Sequence, residues 1–136
     1  MRYGLLGMVA LLLCNQAVAV TGNEVIDAFK AAGIEVVDAK NVTEDTQKSE
    51  GPLPKSFREN WVFVNKTLKN GKGGQIFICD EKKYCDAIYA YFDVLKGMAG
   101  PYLYQSKDGL IVAQINSGHL PDSAKRYEKV LADLVK

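Results

Sequence analysis

Residues 102–116 read Tyr102-Leu103-Tyr104-Gln105-Ser106-Lys107-Asp108-Gly109-Leu110-Ile111-Val112-Ala113-Gln114-Ile115-Asn116. Two runs of β-branched and aromatic residues flank Asp108-Gly109, a pair that accepts the left-handed backbone a hairpin turn requires. The stretch therefore predicts antiparallel strands over Tyr102–Ser106 and Leu110–Asn116. In the second strand Ile111, Ala113 and Ile115 alternate with Leu110, Val112 and Gln114, so one face is wholly apolar and the other partly so. The first face is core. The second awaits a cover, from the N-terminal helix, a ligand or a second copy of the chain, which would make a homodimer.

Working backward, the same grammar recurs. Asn60–Lys66 holds Trp61, Val62, Phe63 and Val64, and Gly74–Cys79 holds Ile76, Phe77 and Ile78, which predicts a second hairpin with its loop over Asn70–Gly74. Gly71-Lys72-Gly73-Gly74 is rich in glycine as phosphate loops are, but it joins two strands and precedes no helix, so it reads as a turn. From Asp80, expected as the N-cap, a helix of about four turns follows, with Tyr84, Ile88, Tyr91, Phe92 and Leu95 on its buried stripe and Gly97 and Gly100-Pro101 ending it. After the Tyr102–Asn116 hairpin a last helix opens near Pro121 or Asp122, with Ala124, Tyr127, Leu131 and Leu134 inward.

Upstream, Glu24–Ala32 reads as a helix with Asn23 as N-cap, Val25, Ile26 and Phe29 on one stripe, and Gly33 at the left-handed position after its end. Residues 38–56 turn polar and carry Gly51-Pro52-Leu53-Pro54, which predicts an extended surface connection. The order α-ββα-ββα predicts an α+β fold: a four-stranded antiparallel sheet from two hairpins, with the helices on one face.

The N-terminus has the pattern of a secretory signal peptide over residues 1–19. Arg2 precedes an apolar run from Leu5 to Cys14, and Ala17-Val18-Ala19 offers small residues for cleavage. The run is shorter than the ~20 residues a membrane-spanning helix needs, so no span is expected after cleavage. Cys14 follows three leucines rather than the small residue a lipidated cysteine requires. A single domain is expected over residues 20–136. Loss of the leader removes Arg2 and no acid, leaving 16 of the 17 basic residues against 16 acidic ones. A near-neutral chain has no broad positive field for nucleic acid.

Cys14 leaves with the leader, so Cys79 and Cys85 remain as each other's partners in an oxidising compartment, and a disulfide between them is the default. Two sharper uses stand beside it. Lys82 and Lys83 in the first helical turn would favour a thiolate for redox exchange, although C-x5-C is not the spacing exchange enzymes use. Metal binding would need Asp80 and His119 to join the sulfurs. His119, in Asn116-Ser117-Gly118-His119-Leu120, stands where an imidazole meets a ligand near the last helix or simply fills a loop. Tyr89, Tyr102 and Tyr104 fall partly off the core stripes and, with His119, form the candidate binding surface. No acid, base and nucleophile stand grouped in the sequence, so the reading is of a protein without catalysis or cofactor.

The run Gly73-Gly74-Gln75-Ile76-Phe77 leading to Asp80, the tyrosine-rich helix, Val112-Ala113-Gln114-Ile115-Asn116, Leu120-Pro121 and Ala124–Tyr127 together resemble small exported bacterial proteins sometimes labelled stress proteins. The resemblance implies secretion and an α+β fold, and it assigns no catalytic residue. The cysteine pair is not part of that pattern. The expectation is an exported binding or accessory protein of the periplasm or cell exterior, whose partner is another envelope or secreted protein. The alternatives are a thiol-redox or metal-handling protein centred on Cys79 and Cys85, or an inhibitor or immunity protein that blocks an enzyme with the 38–56 connection or the 70–74 turn.

Overall fold

A computed structural model describes residues 20–69, 71–99 and 102–135. The leader reading falls outside those residues, as do Asn70, Gly100 and Pro101. The elements in chain order are α1 (Gly22–Ala31), β1 (Val36–Asn41), α2 (Thr43–Lys48), β2 (Glu59–Asn65), β3 (Gly74–Ile78), α3 (Lys82–Ala99), β4 (Tyr102–Gln105), β5 (Ile111–Ile115) and α4 (Pro121–Leu134). They form a mixed fold in which one antiparallel sheet of five strands runs in the order β1-β2-β3-β5-β4.

Both predicted hairpins form. β2 pairs with β3 from Glu59↔Ile78 to Phe63↔Gly74, and β4 pairs with β5 from Tyr102↔Ile115 to Gln105↔Val112. Gly109 takes the left-handed turn position at φ +79°, and Ser106 and Ile111 close the turn below it. β3 joins the two hairpins by pairing with β5, so α3 crosses over β5 to connect β3 to β4.

The four-strand expectation is corrected to five. The fifth strand, β1, comes from residues 36–41, of which 38–41 were assigned to the extended connection. It pairs with β2 through Val36↔Asn65 and Lys40↔Val62. Its polar residues are those of an edge strand, where charges guard unpaired backbone, and a bulge between Val37 and Lys40 breaks the alternation. Asp38 sits in that bulge at φ +52°, the one non-glycine residue with positive φ among the described residues. The rest of the connection is also not simply extended, because α2 occupies Thr43–Lys48 and buries no residue.

A second correction concerns the helices, which cover both faces of the sheet. Ile76, Ile78, Ile111, Ala113 and Ile115 point into a core shared with Val25, Ile26 and Phe29 of α1 and Ala124, Tyr127 and Leu131 of α4. Phe77, Cys79 and Val112 point the other way, into a second core with Cys85 and Ile88 of α3 and with Phe57. The N-terminal helix therefore lies on the first face, and α3 covers Val112 on the second. Rings of Phe29, Phe63 and Tyr127 anchor the first core with centroids 4.9–5.8 Å apart.

Helix ends differ by small, explicable amounts. α1 starts at Gly22 because Thr21 and Glu24 form a capping box, which displaces Asn23 from the N-cap. α3 opens at Lys82, beyond Asp80, whose carboxylate instead accepts from Arg58 at 3.3 Å. α4 begins at Pro121, and Gly33 follows α1 at φ +84°, both as expected.

Candidate functional site

The second face of the sheet is only half covered. α3 packs against β4 and β5, and Phe57 and Leu53 fill in beside Phe77. The remainder, over β1, β2 and the adjoining ends of β3 and β5, is an open groove of about 680 Å³. Val62 and Val64 of β2, Gln75 of β3, Gln114 of β5, Asn116, and Asp38 and Lys40 of β1 line it, and Gly71–Gly74 form one wall. Strand pairing explains the set: Lys40↔Val62, Val62↔Gln75 and Gln75↔Gln114 are cross-strand partners, so their side chains share one face.

The floor carries a run of side-chain amides with a fixed direction. Asn60 Nδ2 donates to the backbone oxygen of Ile76 at 3.0 Å, and a carbonyl can only accept, so the Asn60 amide has one orientation. The same nitrogen donates to Gln75 Oε1 at 3.2 Å, Gln75 Nε2 to Gln114 Oε1 at 2.9 Å, and Gln114 Nε2 to Asn116 Oδ1 at 3.4 Å. Thr46 Oγ1 of α2 closes the far end on Asn60 Oδ1 at 2.7 Å. Each amide oxygen in the run accepts one hydrogen bond and keeps a second lone pair, Gln75 and Gln114 each have a second N–H, and Asn60 and Gln114 are buried. Gly74 leaves room for β3 and β5 to close up at this end: a Cβ there would stand 2.5 Å from the Gln114 carbonyl oxygen and 3.1 Å from Ile115 Cδ1, on the face opposite the groove.

The residues singled out in the sequence fall elsewhere and do not form one surface. Tyr89 packs against the α3 core, whereas Tyr102 and Tyr104 pack against the opposite core. Burial, with Glu128 and Tyr102 nearby, raises the Tyr104 pKa. His119 is buried at 5 % exposure in a chain of polar contacts. Its Nδ1 lies 2.9 Å from the Asn116 carbonyl, which can only accept, so Nδ1 carries the proton and Nε2 accepts from Tyr127 Oη at 3.1 Å. The Tyr127 oxygen in turn accepts from Asn65 Nδ2 at 2.9 Å. Tyr102 Oη donates to the His119 backbone oxygen at 3.1 Å. His119 is a fully bonded core residue holding the turn before α4.

Cys79 and Cys85 form a disulfide with Cα atoms 5.7 Å apart, tying the end of β3 to the first turns of α3. Both residues are at most 1 % exposed, so an incoming thiolate reaches neither sulfur without lifting α3. His119 follows the end of β5, and the register Gly74↔Ile115 and Ile78↔Ile111 puts that end opposite the one that carries Cys79. The sulfurs and the imidazole thus lie at opposite ends of the sheet. Among the described residues no group of three or more His, Cys, Asp or Glu is placed to hold a metal ion, and no helix is long and apolar enough to cross a membrane.

No family model matches the chain, and neither a curated protein nor a solved structure matches it.

The 70–74 turn and the start of the 38–56 connection, both named from the sequence as blocking segments, border the groove, whereas Val62, Val64, Gln75 and Gln114 were not singled out as a site. A signal was present: Gln75 and Gln114 each interrupt a strand that is otherwise apolar, and each falls on the second face of its strand.

Proposed function

We propose that the chain is an exported, non-catalytic binding protein of the cell envelope that engages another protein or an envelope component through the open half of its sheet. The observation that carries this reading is the open groove over the sheet face, lined by Val62, Val64, Gln75 and Asn116, whose floor is stiffened by an amide run with Asn60 and Gln114 buried beneath it. Polar side chains held in register by one another form a pre-ordered recognition surface, which lowers the entropy lost on binding. The leader pattern of residues 1–19 and a disulfide compatible with an oxidising compartment support export to the periplasm or the exterior. Asp38, Lys40 and Gly71–Gly74 all border the groove, so an inhibitor or immunity role through the 38–56 and 70–74 segments is a special case of the same surface. The thiol-redox alternative is disfavoured by the burial of both sulfurs.

The test compares partner capture from envelope extracts by the wild type, Val62→Glu in the groove, and Val94→Glu on the outer side of α3, where Val94 is 81 % exposed. Circular dichroism establishes that all three are folded. Capture by the wild type and Val94→Glu but not by Val62→Glu is expected. The reverse pattern would refute the assignment of the groove.

A further inference from the structure

We propose that the outer edge of β4 pairs with the same edge of a second copy of the chain, antiparallel about a two-fold axis at Tyr104, so that two five-stranded sheets join into one of ten. The inference is independent of the groove, whose lining includes no residue of β4.

A sheet of order β1-β2-β3-β5-β4 has two edges, and they differ in kind. β1 carries Asp38 and Lys40 and is bent by a bulge, devices that discourage pairing with another strand. β4, Tyr102-Leu103-Tyr104-Gln105, has no such device: it holds no charge and no proline, and its register against β5 is unbroken from Tyr102↔Ile115 to Gln105↔Val112. No strand among the described residues pairs with its outer side.

Hydrogen-bond alternation fixes what that side presents. Ser106 N–H donates to the Ile111 carbonyl at 2.9 Å, while the preceding residue of the chain, Leu110, turns its carbonyl the other way and accepts from Cys79 N–H at 2.9 Å. Along the ladder, Tyr102, Tyr104 and Ser106 therefore bond to β5, and the N–H and C=O of Leu103 and Gln105 point outward. The side chains are tied to their own copy. Tyr102 Oη donates to the His119 carbonyl at 3.1 Å, and Gln105 Nε2 donates to Asp86 Oδ1 at 2.9 Å and to the Gly109 carbonyl at 3.0 Å. A strand held in this way loses little freedom when it pairs.

A second copy meets these groups without remainder. With Tyr104 opposite Tyr104, Leu103 of each copy faces Gln105 of the other, and each of these pairs exchanges N–H and C=O in both directions. The strand is uncharged, so the two-fold sets no like charges opposite each other within it. Its central pair is the closely spaced, non-hydrogen-bonded kind, in which two tyrosine rings touch. Glu128 of α4 acts on Tyr104, and Lys125, one helical turn before it, balances that acid. Leu120, 73 % exposed, follows the His119 that holds Tyr102, at the end where Ser106 of the second copy arrives. The edge is 4 residues long, against about 20–30 per partner in a standard interface, so the dimer is weak and reversible, with Kd about 10–100 µM.

The experiment uses the oxidised protein purified after export from its full-length sequence. Sedimentation equilibrium from about 5 to 500 µM reads the association. Amide hydrogen exchange by nuclear magnetic resonance over the same range reads the edge, and needs no substitution. Dimerisation is expected to slow exchange at Leu103 and Gln105 at least about tenfold and to leave the amides of β1 unchanged. Leu103→Pro removes one outward donor from each copy and no bond to β5, and should weaken the dimer at least about tenfold, with circular dichroism establishing that the variant is folded. Tyr104→Cys should crosslink to itself on mild oxidation, because Cα atoms in such a pair stand about 4.5 Å apart. Tyr102→Cys, which faces Ser106 of the second copy, should not. A chain that stays monomeric to about 1 mM would overturn the inference. So would a folded Leu103→Pro variant that dimerises as the wild type does, or a dimer in which Leu103 and Gln105 exchange as fast as in the monomer. Protection of those amides that appears only when envelope extract is added would assign the edge to a foreign strand and overturn the second copy.

Discussion

The polar chain through His119, Tyr127 and Asn65 shows how one hydroxyl fixes several buried groups. Tyr127 Oη accepts from Asn65 Nδ2 and donates to His119 Nε2, and the tyrosine ring fills the core between Phe29 and Phe63. Tyr127→Phe keeps the ring and leaves both partners unsatisfied, which should lower unfolding stability by about 1–3 kcal/mol in denaturant titration. Unchanged stability would mean that water replaces the hydroxyl. The same residue sets an alkaline limit. Burial pushes the Tyr127 pKa above its ordinary 10.0, against an opposing hydrogen bond from Asn65. The folded state thus favours the neutral phenol, and the stabilisation is complete below the unfolded-state pKa of about 10 and is lost as pH rises through the folded value. Tyr104 shifts in the same direction, so Tyr127→Phe should reduce the fall in stability above about pH 10 without abolishing it. His119 and the three tyrosines were legible as residue types, but sequence spacing cannot tell a buried, fully bonded imidazole from one that meets a ligand.

At the scale of elements, the disulfide joins β3 to α3 inside the second core, with Ile88 and Phe77 packed beside it. A loop this short restricts the unfolded chain modestly, so replacing both cysteines by alanine should cost about 2 kcal/mol. In the native wild type the bridge should resist reduced glutathione and yield to it after unfolding. Rapid reduction of the folded protein, at a potential near −200 mV rather than below about −300 mV, would restore the redox reading. The two hairpins, α3 and α4 were legible because apolar periodicity and turn residues agree there. β1 was not, since Val36-Val37-Asp38-Ala39-Lys40-Asn41 is an edge strand broken by a bulge and its inward residues are few. α2, Thr43-Glu44-Asp45-Thr46-Gln47-Lys48, has no apolar stripe to detect. The placement of helices on both faces was foreshadowed by β5, all five residues of which are buried. A helix stripe announces that it will be buried without saying against which face of a sheet.

Considered whole, the molecule is a sheet with one face closed by α1 and α4 and the other shared between α3 and an open groove. The leader pattern and the cysteine pair are compatible with the proposed envelope location, and the open groove is the surface on which the proposed binding role is to be tested. In sequence the floor left only the trace of Gln75 and Gln114 interrupting apolar strands, because Asn60, Gln75, Gln114 and Asn116 are spread over 57 residues and meet only when β2, β3 and β5 align. The most direct measurement places a photo-crosslinking amino acid at position 62, in the groove, or at position 94, on the outside of α3, in living cells and identifies the adducts by mass spectrometry. The account predicts a discrete protein adduct from position 62 and none from position 94. An adduct from position 94 alone would contradict it.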